Sequence, residues 1–378
     1  MTPTPIPAPT PTPIPASAPQ DEVWSEVRGQ VGFITLNRPR ALNALSLAMV
    51  RALMRILLAW QSDAQVHAVA IRGSSKDGPF GAFCAGGDIR FLHQAGSQGD
   101  PQLEDFFTEE YALNHLIHNY RKPYIAFMDG IVMGGGMGIS QGARLRVVTE
   151  RTRMAMPETA IGLFPDVAGG YFLSRCPGHV GEWLALTGQT IGAADAIANQ
   201  LADGCLRADQ QAAVWDALGR QSDTDGTALA DFVAARSSAA DARPACARAQ
   251  IDDYFSLPDA TAIVTALEAA RSDWASATAA TLRQRSPLML HVVLEQIRRA
   301  RGMGLADELR MERGLVRHCF FLRPGRSETL EGIRALAIDK DHAPRWNPAR
   351  IEDVTPAMVA PFFTSPWPAH AHPLAHLA

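Results

Sequence analysis

The chain has 378 residues, of which 47% are apolar and 20% charged, with a formal net charge of −4. That length and balance describe an ordinary globular protein with a core and an additional segment, not a single small domain. The charge leaves no general basic footprint for nucleic acid, and no run of about 18 apolar residues is present to span a membrane, so neither partner is expected.

Residues 1–20 carry proline at 3, 5, 7, 9, 11, 13, 15 and 19. Such a segment forms neither helix nor core and reads as a disordered, Pro-rich, extended tail. It contains no Lys or Arg, which argues against a secretory or mitochondrial signal. From 21 to 205 the pattern is strand, helix, strand. Val31 to Leu36 reads as a strand, followed by a turn and then a helix whose apolar positions Leu42, Leu45, Met49, Leu53, Ile56 and Trp60 recur at three and four. Ala68 to Arg72, Tyr124 to Met128 and Leu145 to Val148 read as further strands, so the core is α/β. From 206 to 363 the composition turns to Ala-rich helical segments, including Ala262 to Ala280 and Pro287 to Arg301. The last stretch, 364–378, with His370, His372 and His376, reads as a flexible, solvated tail.

Two stretches carry chemistry. The first is the glycine cluster Gly134-Gly135-Gly136-Met137-Gly138, where Met137 to Ser140 reads as the first turn of a buried helix. Its unpaired amides and positive dipole end suit a developing anion. A dinucleotide fingerprint is set aside, because the third glycine is out of place and no acidic residue follows about 20 residues on in the required context. The second stretch, Met156 to Asp166, sets Glu158 and Asp166 among Ile161, Leu163 and Phe164. Partial desolvation there raises carboxyl pKa values and suits proton transfer or nucleophilic work, although two such acids taken alone read by default as a solvated loop.

The five cysteines, at 84, 176, 205, 246 and 319, are odd in number and lack zinc spacing, so no metal site is expected and a reducing cytoplasm is the expected location. Cys84 reads as a buried small side chain, since no His or Asn signature supports a nucleophile.

Taken in order, FCAGGD (83–88), KPYIA (122–126), DGIVMGGGMGIS (129–140), AMPETAIGLFPD (155–166) and GGYFL (169–173) resemble the crotonase (enoyl-CoA hydratase/isomerase) superfamily, and within it the 3-hydroxyisobutyryl-CoA hydrolases. The likeness runs from about 23 to about 363. It implies ββα repeats wound into a spiral, a mainly helical C-terminal region, and an acyl-CoA site where the glycine loops meet. By resemblance Ala85 and Gly135 are the oxyanion donors, Glu158 and Asp166 the catalytic acids, and Glu110, Gly86, Gly87 and Asp88 substrate contacts. No cofactor is implied, because CoA is part of the substrate, and assembly into a homo-oligomer is left open.

The hydratases of this superfamily carry a second acid two residues after the triple glycine, where this chain has Gly138. Asp166 stands where hydratases usually have glycine. The resemblance therefore implies hydrolysis of a short, branched 3-hydroxyacyl-CoA thioester, 3-hydroxyisobutyryl-CoA in valine breakdown, with release of 3-hydroxyisobutyrate and CoA. The alternatives are an enoyl-CoA hydratase or isomerase with an unusual acid arrangement, and a non-catalytic acyl-CoA-binding protein.

Overall fold

The structure, a computed structural model, describes residues 22–221, 225–240 and 247–378. The proline-rich segment 1–20 lies outside the described residues.

A six-stranded sheet runs in the order β1 (Val23–Arg28), β2 (Val31–Leu36), β3 (Ala68–Gly73), β4 (Tyr124–Met128), β6 (Leu145–Val148), β8 (Gly204–Cys205). Only β1 is antiparallel to its neighbour; β2 to β8 are parallel, with Val31 opposite Ala68, Val69 opposite Tyr124 and Ile125 opposite Leu145. A parallel sheet needs cover on both faces, so its strands read as near-continuous apolar runs. Period-two alternation divides them. Ile34, Ile71, Ala126 and Met128 face the main core with Leu53, Leu57 and Trp60 of α1 (Leu47–Ser62). Phe33, Ala70, Ile125 and Phe127 face a second cluster with Trp215, Leu218, Leu229 and Val233.

The second cluster links the helical region to the core. Helices Gln211–Leu218 and Gly226–Ala234 cover the outer face of the sheet, while later helices such as Pro287–Ala300 pack against the helices Gly169–Leu173 and Val180–Thr187. The segment 364–378, expected as a flexible tail, lies against the body. Leu374 is fully buried, and Arg310 Nε donates to Leu374 O at 3.1 Å.

Two local departures from periodicity have plain causes. Helix α1 begins only after Ser46, whose hydroxyl accepts from Met49 N–H at 3.2 Å, an N-cap that fixes the start. Leu42, at φ 50°, therefore precedes the helix despite its apolar spacing. The Ala-rich stretch 262–280 is divided between helices Ala260–Ala269 and Asp273–Arg283, the second capped by Ser272.

A second, two-stranded parallel sheet pairs β5 (Ile131–Met133) with β7 (Arg153–Ala155). Each follows a strand of the larger sheet, and β5 leads into α4 (Gly135–Gln141). Helix α4 is buried throughout and begins two residues before the expected turn at Met137. Helices α2 (Ile89–Gln98) and α3 (Gln102–His118) complete the frame around it.

Candidate active site

Three loops and one helix face meet at a cavity of about 200 Å3. Its polar lining comes from Ala85 to Gly87, from Gly134 and Gly135, from Glu158 and Asp166, and from Glu110 on α3. Phe106, Phe107, Leu92 and Leu163 supply apolar wall, and Leu336 from the helical region reaches the mouth, where it is 42% exposed. The expected site residues are thus gathered in one place, with Asp88 as the exception.

Asp88 does not line the cavity. Its Oδ1 accepts from Phe91 N–H as the N-cap of α2, and its Oδ2 pairs with Arg38 Nη2 at 2.8 Å. An acid committed to a helix start and an arginine serves loop geometry, which corrects the expected substrate contact.

Ala85 is the second correction. Its N–H already donates to Leu42 O at 3.0 Å, so that amide is not free for an oxyanion. The loop pairs with Leu45 as a parallel bridge centred on Gly87: Leu45 N–H donates to Gly86 O at 2.7 Å and Asp88 N–H to Leu45 O at 3.0 Å. In such a bridge the flanking residues face the partner and the central residue's amide points the opposite way. Gly87 N–H is therefore the amide the bridge leaves unused. On the facing loop Gly135 is the first residue of α4, and a first-turn amide has no partner within its helix.

The glycines here are required by close approach. Gly134 has φ +48° and an added Cβ would sit 2.8 Å from Glu158 Oε1. At Gly135 an added Cβ would meet Glu110 Oε1, also at 2.8 Å. Both carboxyls thus lie against the triple-glycine backbone.

Glu158 opens a 3-10 turn, Glu158–Ile161, that follows β7 and is reversed by Gly162 at φ +65°. Glu158, Asp166 and Glu110 are 6%, 6% and 2% exposed, and Glu158 Oε2 and Glu110 Oε1 have no hydrogen-bond partner among the described residues. Burial, then the Asp166 charge, pushes Glu158 well above the usual carboxyl range. Burial followed by the Asp166 and Glu158 charges does the same to Glu110. Burial raises Asp166 to about 7, opposed by the hydrogen bond from Tyr111 Oη to Asp166 Oδ2 at 2.9 Å. Three carboxyls in one buried pocket cannot all ionise at neutral pH, so they share protons. Cys84 does not join them, because burial pushes its thiol up to about 12.

Tyr111 was not legible as a site residue, since no spacing rule aims it at an acid 55 positions away. Val167 was missed as well. An added Cβ at Gly138 would lie 2.6 Å from Val167 Cβ and 3.0 Å from Asn114 Nδ2, so the place of the hydratase acid is filled as well as unoccupied by an acid.

Residues 31–363 match the family model described as enoyl-CoA hydratase/isomerase. The chain is 39% identical to the mitochondrial 3-hydroxyisobutyryl-CoA hydrolase of Xenopus tropicalis, over 89% of this chain and 87% of that one. It is 37% identical to 3-hydroxyisobutyryl-CoA hydrolase 1 of Arabidopsis thaliana, over 92% of both. Among solved structures, a protein described as a carnitinyl-CoA dehydratase from Mycobacterium thermoresistibile superposes with TM-score 0.83 at 36% identity, covering 91% of this chain and 97% of that one. One described as an enoyl-CoA hydratase from Rhodobacter sphaeroides superposes with TM-score 0.82 at 36% identity, covering 92% and 98%. The α/β frame with its helical C-terminal region is the crotonase fold, and the chain belongs to the enoyl-CoA hydratase/isomerase (crotonase) family.

Proposed function

We propose that this protein hydrolyses a short, branched 3-hydroxyacyl-CoA, with 3-hydroxyisobutyryl-CoA as the substrate. The observation that carries the reading is the pairing of Glu158 and Asp166 in one buried cavity beside two unused glycine amides, while Val167 fills the space a second hydration acid at 138 would need. The curated relatives named as 3-hydroxyisobutyryl-CoA hydrolases support the acyl group.

In this reading the thioester oxygen sits between Gly87 N–H and Gly135 N–H, which stabilise the tetrahedral oxyanion by donors already in place. The ionised Glu158 either attacks the carbonyl carbon, breaking the C–S bond to leave a mixed anhydride that water then cleaves, or takes a proton from the water that attacks. Both routes consume one water and release the acid and CoA thiol. Burial makes the ionised Glu158 a stronger base, which suits either role. Asp166, oriented by Tyr111, holds the attacking water or the substrate hydroxyl, and Glu110 also receives that hydroxyl. A cavity of about 200 Å3 suits a four-carbon acyl group and leaves the CoA outside the mouth near Leu336.

The names of the two structural neighbours suggest a second reading, dehydration or hydration of an acyl-CoA. It needs an acid pair that Gly138 does not supply. As for location, the Xenopus tropicalis relative is named as mitochondrial, and a cytoplasmic place for this chain is our proposal from its cysteine pattern.

Free-thiol release measured on 3-hydroxyisobutyryl-CoA, 3-hydroxybutyryl-CoA, isobutyryl-CoA and acetyl-CoA tests the acyl reading. The first should give the highest kcat/KM, with loss of the hydroxyl costing more than loss of the branch. Equal rates on all four would overturn it.

A further inference from the structure

The turn that presents Asp166 is closed locally by one bond, Gly169 N–H to Asp166 O at 2.7 Å, and takes the rest of its support from elsewhere in the fold. Val167 and Ala168 both have positive φ, 57° and 68°, a conformation that residues with a Cβ adopt at a cost and keep only when the surroundings impose it. The imposing groups come from two helices of the C-terminal region, Pro287–Ala300 and Leu305–Phe321. Glu312 Oε2 accepts from Ala168 N–H at 2.8 Å and Glu312 Oε1 from Gly170 N–H at 3.0 Å. Gln296 Nε2 donates to Pro165 O at 2.8 Å and to Glu312 Oε1 at 3.1 Å. Glu312 and Gln296 are both fully buried, so these bonds are made without competition from water.

We propose that Glu312, braced by Gln296, is a positioning residue for Asp166: it touches no cavity atom, and acts by fixing the strained turn that aims the Asp166 carboxyl. The inference rests on the reading above that Asp166 works at the reacting centre. A neighbouring acid completes the arrangement. Glu308, one turn before Glu312, is fully buried, and neither of its oxygens has a hydrogen-bond partner among the described residues. Burial pushes both acids above the usual range, Glu308 to about 7, so the pair retains a proton. Three N–H donors, from Ala168, Gly170 and Gln296, face the Glu312 oxygens and tie them to the turn.

The test is a double-mutant cycle on the full chain, read as kcat and KM for thioester hydrolysis. Glu312→Gln keeps the volume but turns an NH2 toward one of the two amides. It should lower kcat by about tenfold or more with KM within about threefold, because misaimed chemistry costs rate more than binding. In an Asp166→Asn background the same change should alter kcat by less than about twofold, since the group it positions is already disabled. A merely structural role would lower kcat equally in both backgrounds and would overturn the proposal, as would wild-type kcat in folded Glu312→Gln. If Glu312→Gln does not fold, Gln296→Met asks the same question and should show the same background-dependent loss. Should Asp166→Asn itself hydrolyse at the wild-type rate, the underlying reading of Asp166 falls and the inference with it. Loss in Asp166→Asn alone, with folded Glu312→Gln intact, overturns only the inference.

Discussion

The two walls of the cavity are built by different means. The amide wall, Gly87 and Gly135, is made of backbone set by strand pairing and a helix start, and it needs little beyond the α/β core. The acid wall carries Glu158 on a 3-10 turn and Asp166 beside a strained turn, and the strained turn draws support from a helix more than 100 residues later, as the 144-residue separation of Ala168 and Glu312 shows. Backbone donors are neutral and are held in place by local geometry. Buried carboxyls cost desolvation and stay only where other elements hold them. Under the proposed function, the oxyanion donors lie on the inexpensive wall, while the acids that would select the reaction lie on the wall that depends on the C-terminal region.

The sharpest break of this comparison is at the acid wall. Glu158→Gln keeps size and much of the hydrogen bonding but removes the basic oxygen, so kcat should fall by about 100-fold or more while equilibrium binding of a CoA thioester survives. Near wild-type hydrolysis by the folded variant would remove Glu158 from the mechanism. The amide wall should be less sensitive. Gly135→Ala forces its new Cβ toward Glu110 Oε1, 2.8 Å away, and Leu45 Cδ1, 3.2 Å away, shifting one donor and costing about tenfold in kcat/KM; a loss equal to that of Glu158→Gln would make the two walls equivalent.

The smallest effect is on stability, and its sign is specific to the acid wall. Asp166 moves from an ordinary 3.8 to about 7 in the folded protein, so the folded state binds the extra proton. Its contribution is fully present below the unfolded value and is lost as pH rises through about 7. Asp166→Asn should therefore raise the thermal midpoint relative to wild type by about 2–4 °C near pH 8 and by less near pH 5. A midpoint lowered at pH 8 would show that the charged form is stabilised in place.

How much of this was readable in advance follows the same division. Strands such as Tyr124–Met128 and Leu145–Val148 were legible because both faces are buried and the apolar run is short and bounded. Glu158, Asp166, Gly135 and Glu110 were named together by the family resemblance of their motifs, and the structure lines one cavity with them. Ala85 was misread for a reason that sequence does not display: in a β-bridge, alternation decides which amide is spent, and the free one is two residues on at Gly87. Asp88 carries a capping role that needs the helix start to be known. Glu308 and Glu312 lie four apart on a helix, a spacing that reads as a solvated acidic face, and only the fold turns that face inward toward Ala168. The tail 364–378 was misread because its composition is that of a solvated segment, whereas Leu374 finds a buried seat.

The proposed function assigns this crotonase-family cavity cleavage of the C–S bond of its substrate, not hydration of a double bond. The most direct measurement follows free thiol from 3-hydroxyisobutyryl-CoA and loss of enoyl absorbance from crotonyl-CoA on one preparation of the wild-type protein. Thiol release should be faster by about 100-fold or more than any hydration, because Gly138 supplies no second acid. Rapid loss of enoyl absorbance without thiol release would contradict it.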